Sequence, residues 1–100
     1  MNQFEIRNNR GRIEIIGNFT AEYSNAVYEY INYLLDHYEE VVMCLRKVRQ
    51  MDKKAAEVLS KIYDKAQRRS KVLFVFGKHN NKVKNAFENH NIIHIFRNDY

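Results

Sequence analysis

The sequence predicts an α/β fold, because apolar strand patterns and amphipathic helix patterns alternate along the chain. Two short runs, EVVMCL (40–45) and KVLFVFG (71–77), have the near-continuous apolar character of strands covered on both faces in a parallel sheet. A final short strand is predicted in IIHIF (92–96). The predicted order is β-β-α-β-α-β-α-β, a single domain over residues 1–100 with a mixed, mostly parallel sheet flanked by helices.

The N-terminal region predicts a β-hairpin. Apolar and polar residues alternate in FEIR (4–7) and again in RIEIIG (12–17), and the intervening Asn8, Asn9 and Gly11 are typical of a tight turn. The hairpin adds an antiparallel component to the predicted sheet.

Three helices are predicted between the strands. The first follows Thr20 as its N-cap, and the second begins after Asp52 and runs to Ser70. The third is capped by Asn80 or Asn81. The inner-face residues expected from helical spacing are Tyr23, Val27, Tyr30, Ile31, Leu34 and Tyr38 in the first helix, Ala55, Leu59, Ile62 and Ala66 in the second, and Val83, Ala86 and Phe87 in the third.

Length and composition restrict the class of protein. A chain of 100 residues has room for one core, and its lone cysteine, Cys44, lies in an apolar run where a buried strand residue is expected rather than a nucleophile. No apolar run reaches the length of a membrane span, and MNQFEIRNN lacks the apolar core of a signal peptide. We therefore expect a cytoplasmic protein without membrane insertion.

The sequence carries no pattern that predicts an enzyme. No glycine-rich loop follows a strand, and no set of serine or cysteine with histidine is indicated by spacing. His90 and His94 lie four apart but straddle a helix end and a strand, which argues against a metal site. We expect no cofactor and no metal.

Basic residues follow two of the predicted strands. If these strands are parallel neighbours, both groups emerge at one edge of the sheet, where ligands of α/β proteins usually bind. The net charge of +5 permits an acidic protein, nucleic acid or anionic lipid as partner. The cluster is either a solvated surface or a docking site for an acidic or phosphorylated protein partner. Nucleic acid is disfavoured, because aromatic residues do not interleave with the cluster. The predicted basic patch comprises Arg46, Lys47, Arg49, Lys78, Lys82 and Lys84.

The tyrosines of the first helix divide into two groups. Tyr23, Tyr30 and Tyr38 lie on the predicted inner stripe and are expected in the core, whereas Tyr28 and Tyr33 lie off it. Exposed tyrosines are either incidental or mark a self-association face, so a homodimer stays an alternative.

Four segments together resemble the STAS domain, the fold of bacterial anti-sigma factor antagonists. GNFTAEYS (17–24) resembles the family's segment before the first helix, and EEVVMCLRKVRQMD (39–52) is similar to its apolar strand, loop and aspartate. KVLFVFG (71–77) and FENHNIIHIF (87–96) look like the fourth strand and the closing helix-to-strand turn. The resemblance covers nearly the whole chain and implies a STAS-like fold.

One site departs from the family pattern. The family begins its second helix with Asp-Ser-Ser-Gly or Asp-Ser-Thr-Gly, and a kinase phosphorylates the second hydroxyl residue. Here the corresponding residues are Asp52, Lys53, Lys54 and Ala55, so the acceptor position, Lys54, has no hydroxyl. We expect no phosphorylation at this site, and two fixed positive charges stand where a phosphate would add about −1.5 to −2.

The resemblance implies a non-enzymatic regulatory domain that binds a protein partner, either an anti-sigma-like switch kinase or another signalling protein with an acidic surface. The alternatives are an accessory or scaffold subunit of a larger transport or signalling assembly, an anion- or nucleotide-binding domain, and a structural homodimer formed through the first helix. The residues expected to contact the partner are Phe19, Thr20, Glu22, Tyr23, Met51, Asp52, Lys53, Lys54 and Glu57.

Overall fold

The computed structural model describes residues 3–96, so the predicted domain boundaries at residues 1 and 100 lie outside it. Strands and helices alternate after an N-terminal hairpin. In chain order the elements are β1 (Phe4–Asn9), β2 (Arg12–Phe19), α1 (Ala21–His37), β3 (Glu40–Cys44), β4 (Val48–Met51), α2 (Lys53–Arg68), β5 (Val72–Phe76), α3 (Asn81–Asn89) and a 3-10 helix (Ile93–Ile95).

The strands form one mixed sheet of order β1-β2-β3-β5, with β4 also paired to β2. β1 is antiparallel to β2, as the hairpin pattern predicts, and the other strand pairs are parallel. β2 is long enough for its first half to pair with β3 and its second half with β4. The predicted α/β fold with a mostly parallel sheet is confirmed.

Two segments differ in detail from the prediction. Residues 48–51, predicted as a strand end and loop, form β4 because the chain resumes pairing with β2 after an interruption at 45–47. The segment predicted as the last strand forms the 3-10 helix instead, and Phe96 makes a single parallel bridge to Val75. Phe96 also stacks on Phe87 with ring centroids 3.9 Å apart, so side-chain burial rather than strand pairing fixes this segment.

The sheet buries one face much more completely than the other. The helices pack on the face whose side chains are at most 5 % exposed, which includes Ile13, Ile15, Phe19, Val41, Met43, Leu73 and Val75. On the opposite face Val42, Phe74 and Phe76 are half-buried. The prediction of strands covered on both faces therefore holds fully for one face, because right-handed crossovers between successive parallel strands place their helices on the same side.

The tyrosine prediction for α1 is wrong at Tyr38, which is 58 % exposed. Tyr38 is the C-cap, and its extended backbone (φ −131°, ψ 149°) has already left the helix, so helical spacing no longer applies to it. Leu35, which is 1 % exposed, fills the corresponding core position. Tyr23 and Tyr30 are half-buried, and Tyr33 is exposed as expected. The prediction is also wrong at Tyr28, which is expected off the core stripe but is half-buried against the core.

α2 and α3 follow their predicted patterns. Asp52 and Asn80 are the N-caps, and both side chains accept hydrogen bonds from the first turns of their helices. All of the predicted inner-face residues of α2 and α3 are buried. Within residues 3–96, no helix is both long and apolar enough to cross a membrane.

Candidate partner-binding site

All three helices begin at the carboxyl edge of the parallel strands. β3 and β5 are in register so that Cys44 pairs with Phe76, and the N–H of Leu45 donates to the carbonyl of Phe76 at 2.8 Å. The residues that follow each strand therefore emerge side by side. The prediction that both basic groups share one edge is confirmed by this pairing.

Asp52 organises the centre of that edge. Its Oδ1 accepts a hydrogen bond from the N–H of Ala55 at 2.9 Å and so caps α2. Its Oδ2 accepts from the N–H of Ala21 at 2.8 Å and so caps α1 as well. Thr20 occupies the N-cap position of α1 with extended backbone, but its side chain makes no capping bond. One carboxylate thus satisfies an unpaired donor at each of two helix ends.

Lys53 and Lys54 form the first turn of α2 and are exposed, and this turn contains no acidic residue. Cations at a helix N-terminus oppose the macrodipole and cost about 0.3–1 kcal/mol each. The next residue, Ala55, is 0 % exposed, so α2 packs into the core immediately after the two lysines. The fold therefore carries a local electrostatic cost at the position where the two lysines are displayed.

A shallow groove of about 440 Å³ runs from these lysines along α2 towards the end of α3. Charged and polar side chains form its walls, and Ala56, Val58 and Ile92, each at most 7 % exposed, lie at its base. The polar residues that line it are Lys53, Lys54, Glu57, Ser60, Lys61 and His90.

The predicted contact residues from the β2–α1 connection divide into surface and core. Glu22 is exposed, and Thr20 is half-buried. Tyr23 is half-buried with its ring stacked on Phe4 at 4.6 Å. Phe19 is 0 % exposed, so its side chain belongs to the core and cannot contact a partner. Met51 packs partly against the same core.

The residues of the predicted basic patch lie at this edge, and one of them, Lys47, forms an ion pair. Lys47 Nζ lies 3.6 Å from Glu14 Oε2. At the opposite edge Arg69 and Lys71 pair with Asp36 and Glu39, at 2.7 Å and 3.5 Å. In the part of the chain that the structure describes, no ion pair engages Arg49, Lys53, Lys54, Lys78, Lys82 or Lys84.

The role of Asn80 goes beyond the predicted cap of α3. Its Oδ1 accepts from the N–H groups of Lys82 and Val83 at 3.0 and 3.5 Å. Its Nδ2 faces the carbonyls of Leu45, Arg46 and Val48 across the edge. These long-range bonds, like the second bond of Asp52, were missed from the sequence because a capping residue gives no signal of a distant acceptor or donor.

Metal-ligating side chains are not clustered at this edge among the described residues. Among residues 3–96, no group of three or more histidine, cysteine, aspartate or glutamate side chains is placed to hold a metal ion. At this edge exposed cations lie at the starts of α2 and α3, which Asp52 and Asn80 cap.

Together these features define an α/β domain whose charged surface lies at the carboxyl edge of a mostly parallel sheet. The STAS domain family model matches residues 3–98, and the chain belongs to that family. Members are generally non-enzymatic binding domains, and membership supports a regulatory protein-interaction role.

The fold is similar to a solved structure described as the crystal structure of an anti-sigma factor antagonist from Mycobacterium paratuberculosis. The TM-score is 0.69, with 13 % sequence identity, over 93 % of this chain and 80 % of that one. At this identity the similarity shows the fold alone. No curated protein matches the chain.

Proposed function

We propose that this protein is a cytoplasmic regulatory domain that binds an acidic protein partner through the start of α2 and the adjoining start of α1. The observation that carries the proposal is the double cap of Asp52, which joins Ala21 and Ala55 to one carboxylate. Because the two helix starts are held together, Glu22, Lys53, Lys54 and neighbouring side chains form one surface. A rigid surface loses little conformational freedom on binding.

The proposed binding does not depend on phosphorylation at the α2 start. Lys54 has no hydroxyl to accept a phosphoryl group, and its charge is present at all times. The exposed pair Lys53 and Lys54 complements a carboxylate-bearing or phosphorylated surface on the partner. The partner is either a switch kinase of the anti-sigma type or another signalling protein with such a surface.

The experiment compares wild-type protein with Lys53→Glu/Lys54→Glu. Each protein is used to capture partners from lysate of the native organism at low and high salt, and the captured partner is purified and titrated by calorimetry. We expect the variant to bind at least about tenfold more weakly, with a shallower dependence on salt.

The matched control is Arg10→Glu/Arg68→Glu, which makes the same change in net charge on exposed residues at the opposite edge. We expect the control to bind as the wild type does. If the lysine variant and the wild type bind the purified partner with equal affinity, the start of α2 is not part of the interface.

A second candidate function is an accessory subunit of a larger assembly. The observation that favours it is a second exposed surface far from the basic edge, formed by Tyr33 and Tyr38, which are 57 % and 58 % exposed. A subunit that joins two partners needs two separate faces. Light scattering of the captured complex distinguishes the candidates: a stable complex with more than two components supports the subunit role, and a one-to-one complex that exchanges quickly supports the regulatory role.

A further inference from the structure

The loop at residues 45–47 separates β3 from β4, and both backbone and side-chain groups donate hydrogen bonds to its carbonyls. Lys47 O accepts from the N–H of Gly17 at 3.0 Å, which keeps the loop attached to β2. The carbonyls of Leu45, Arg46 and Val48 instead surround the side-chain amide of Asn80, with oxygens 3.3, 3.1 and 2.7 Å from Nδ2. The amide of Asn80 is thus a side-chain donor to this loop.

The other end of the same amide holds α3. Asn80 Oδ1 accepts from Lys82 N at 3.0 Å and from Val83 N at 3.5 Å. Serine and aspartate cap helices about as well as asparagine does. Neither provides an amide that accepts at one end and donates two protons at the other. Serine or aspartate would serve equally well for capping alone, whereas bridging the loop to the helix requires the amide of asparagine.

The two elements that Asn80 joins both carry exposed cations. Arg46 and Lys47 are exposed on the loop, and Lys82 and Lys84 are exposed on α3, whose first turn has no acidic residue. Because one side chain contacts the backbone of both Arg46 and Lys82, the backbones of the loop and of the start of α3 are held together although they are distant in sequence. Electrostatic recognition gains from such preorganisation, since no ordering of the loop is needed on binding.

We propose that Asn80 is the positioning residue of an extended basic surface, in which the 45–48 loop and the start of α3 together bind an acidic polypeptide segment. This inference rests on the proposed function, and it extends the partner's footprint from the start of α2 to the start of α3. The side chain acts through the loop and need not touch the partner itself.

The test uses the full chain with Asn80→Asp, which keeps an oxygen to cap α3 but places a carboxylate against the loop carbonyls. Asn81→Asp is the matched control, because residue 81 is exposed and adjacent to Asn80, and the substitution changes the charge by the same amount. Asn80→Ser is the second variant, which removes the amide without adding charge. The probe is poly-L-glutamate at low salt, titrated by calorimetry.

Amide hydrogen exchange reports the loop and the helix separately. The N–H of Gly17 donates to Lys47 O and that of Val48 to Leu45 O, so both report the loop. We expect exchange at these two amides to rise about tenfold in Asn80→Asp and Asn80→Ser, with little change at Phe87 in α3. Faster exchange throughout α3 with an unchanged loop would show that Asn80 is a cap only and would overturn the proposal.

Binding provides the second readout. We expect poly-L-glutamate to bind Asn80→Asp about tenfold more weakly than Asn81→Asp, and Asn80→Ser more weakly than the wild type. Equal affinities of Asn80→Asp and Asn81→Asp would overturn the positioning role even if the loop has loosened. A wild-type protein that does not bind the probe would instead contradict the acidic partner, and with it both proposals.

Discussion

The carboxylate of Asp52 and the backbone N–H of Ala21 form a 2.8 Å hydrogen bond between residues 31 apart in sequence. The bond ties the start of α1 to the start of α2, which Asp52 also caps through Ala55. Thr20 consequently occupies an N-cap position without acting as the cap. The stability and the shape of the candidate site therefore depend on one side chain.

Replacing Asp52 by alanine removes both caps at once. Since one cap contributes about 1 kcal/mol, we expect Asp52→Ala to lower the free energy of unfolding by about 2 kcal/mol. Asp52→Asn keeps one oxygen acceptor and should lose about half of that. Urea denaturation followed by circular dichroism measures both values, and an asparagine variant as unstable as the alanine variant would argue against two separate caps.

Charge reversal at Lys53 and Lys54 should stabilise the fold while it weakens partner binding. Glutamate in the first turn of α2 interacts favourably with the macrodipole, so Lys53→Glu/Lys54→Glu should raise the free energy of unfolding by about 1 kcal/mol. Arg68→Glu, in the last turn of the same helix, should lower it. Thermal denaturation at low salt gives both signs. A destabilised lysine variant would mean that these side chains make stabilising contacts in the fold.

The sequence predicts the fold well where local pattern and burial agree. The inner stripe of α2 recurs at strict helical spacing, and every member is buried. The prediction fails at Tyr38, because α1 ends at His37 and helical spacing no longer applies to the C-cap residue. It fails again at residues 92–96, because an apolar run of this length packs equally well as a turn whose side chains enter the core.

The candidate site is less predictable than the fold. The predicted order of strands is enough to place the basic residues together at one edge of the sheet. The long-range bonds of Asp52 and Asn80 could not be anticipated, because they depend on a hydrogen bond to Ala21 and to the 45–48 loop across the sheet edge. Phe19 is a different case: strand alternation from Ile13 and Ile15 places its side chain on the core face, although it lies next to surface residues in sequence.

Phe19 should behave as a core residue and not as a contact residue. Its side chain is 0 % exposed, so Phe19→Ala should cost about 3–5 kcal/mol of folding stability. Phe19→Leu conserves most of the apolar volume and should cost about 1 kcal/mol. Calorimetry with the purified partner should give the leucine variant wild-type affinity. A leucine variant that folds normally but binds weakly would show that Phe19 contributes to the interface.

Gly17 should tolerate no side chain. Its φ is +92°, and a Cβ there would collide with the backbone carbonyl of Gln3. Gly11 has a similar φ of +87°, but a Cβ would meet nothing within 4 Å. Gly11→Ala should therefore cost about 1–2 kcal/mol for backbone conformation alone, and Gly17→Ala should cost clearly more. Urea denaturation compares the two. Equal costs would show that β1 shifts easily away from residue 17.

The common direction of the helices gives the carboxyl edge a charge that no side chain supplies. α1, α2 and α3 all begin at this edge, and each N-terminus carries about half an elementary positive charge from its aligned peptide dipoles. Mutation of lysines cannot remove this contribution, because it belongs to the backbone. The Asp52 carboxylate offsets this charge at the starts of α1 and α2, whereas the cap of α3, Asn80, is neutral. Association with an acidic partner should therefore keep a residual rate enhancement at low ionic strength even in a variant with every exposed lysine and arginine of the edge neutralised. The size of this remaining enhancement measures how much of the attraction comes from the backbone.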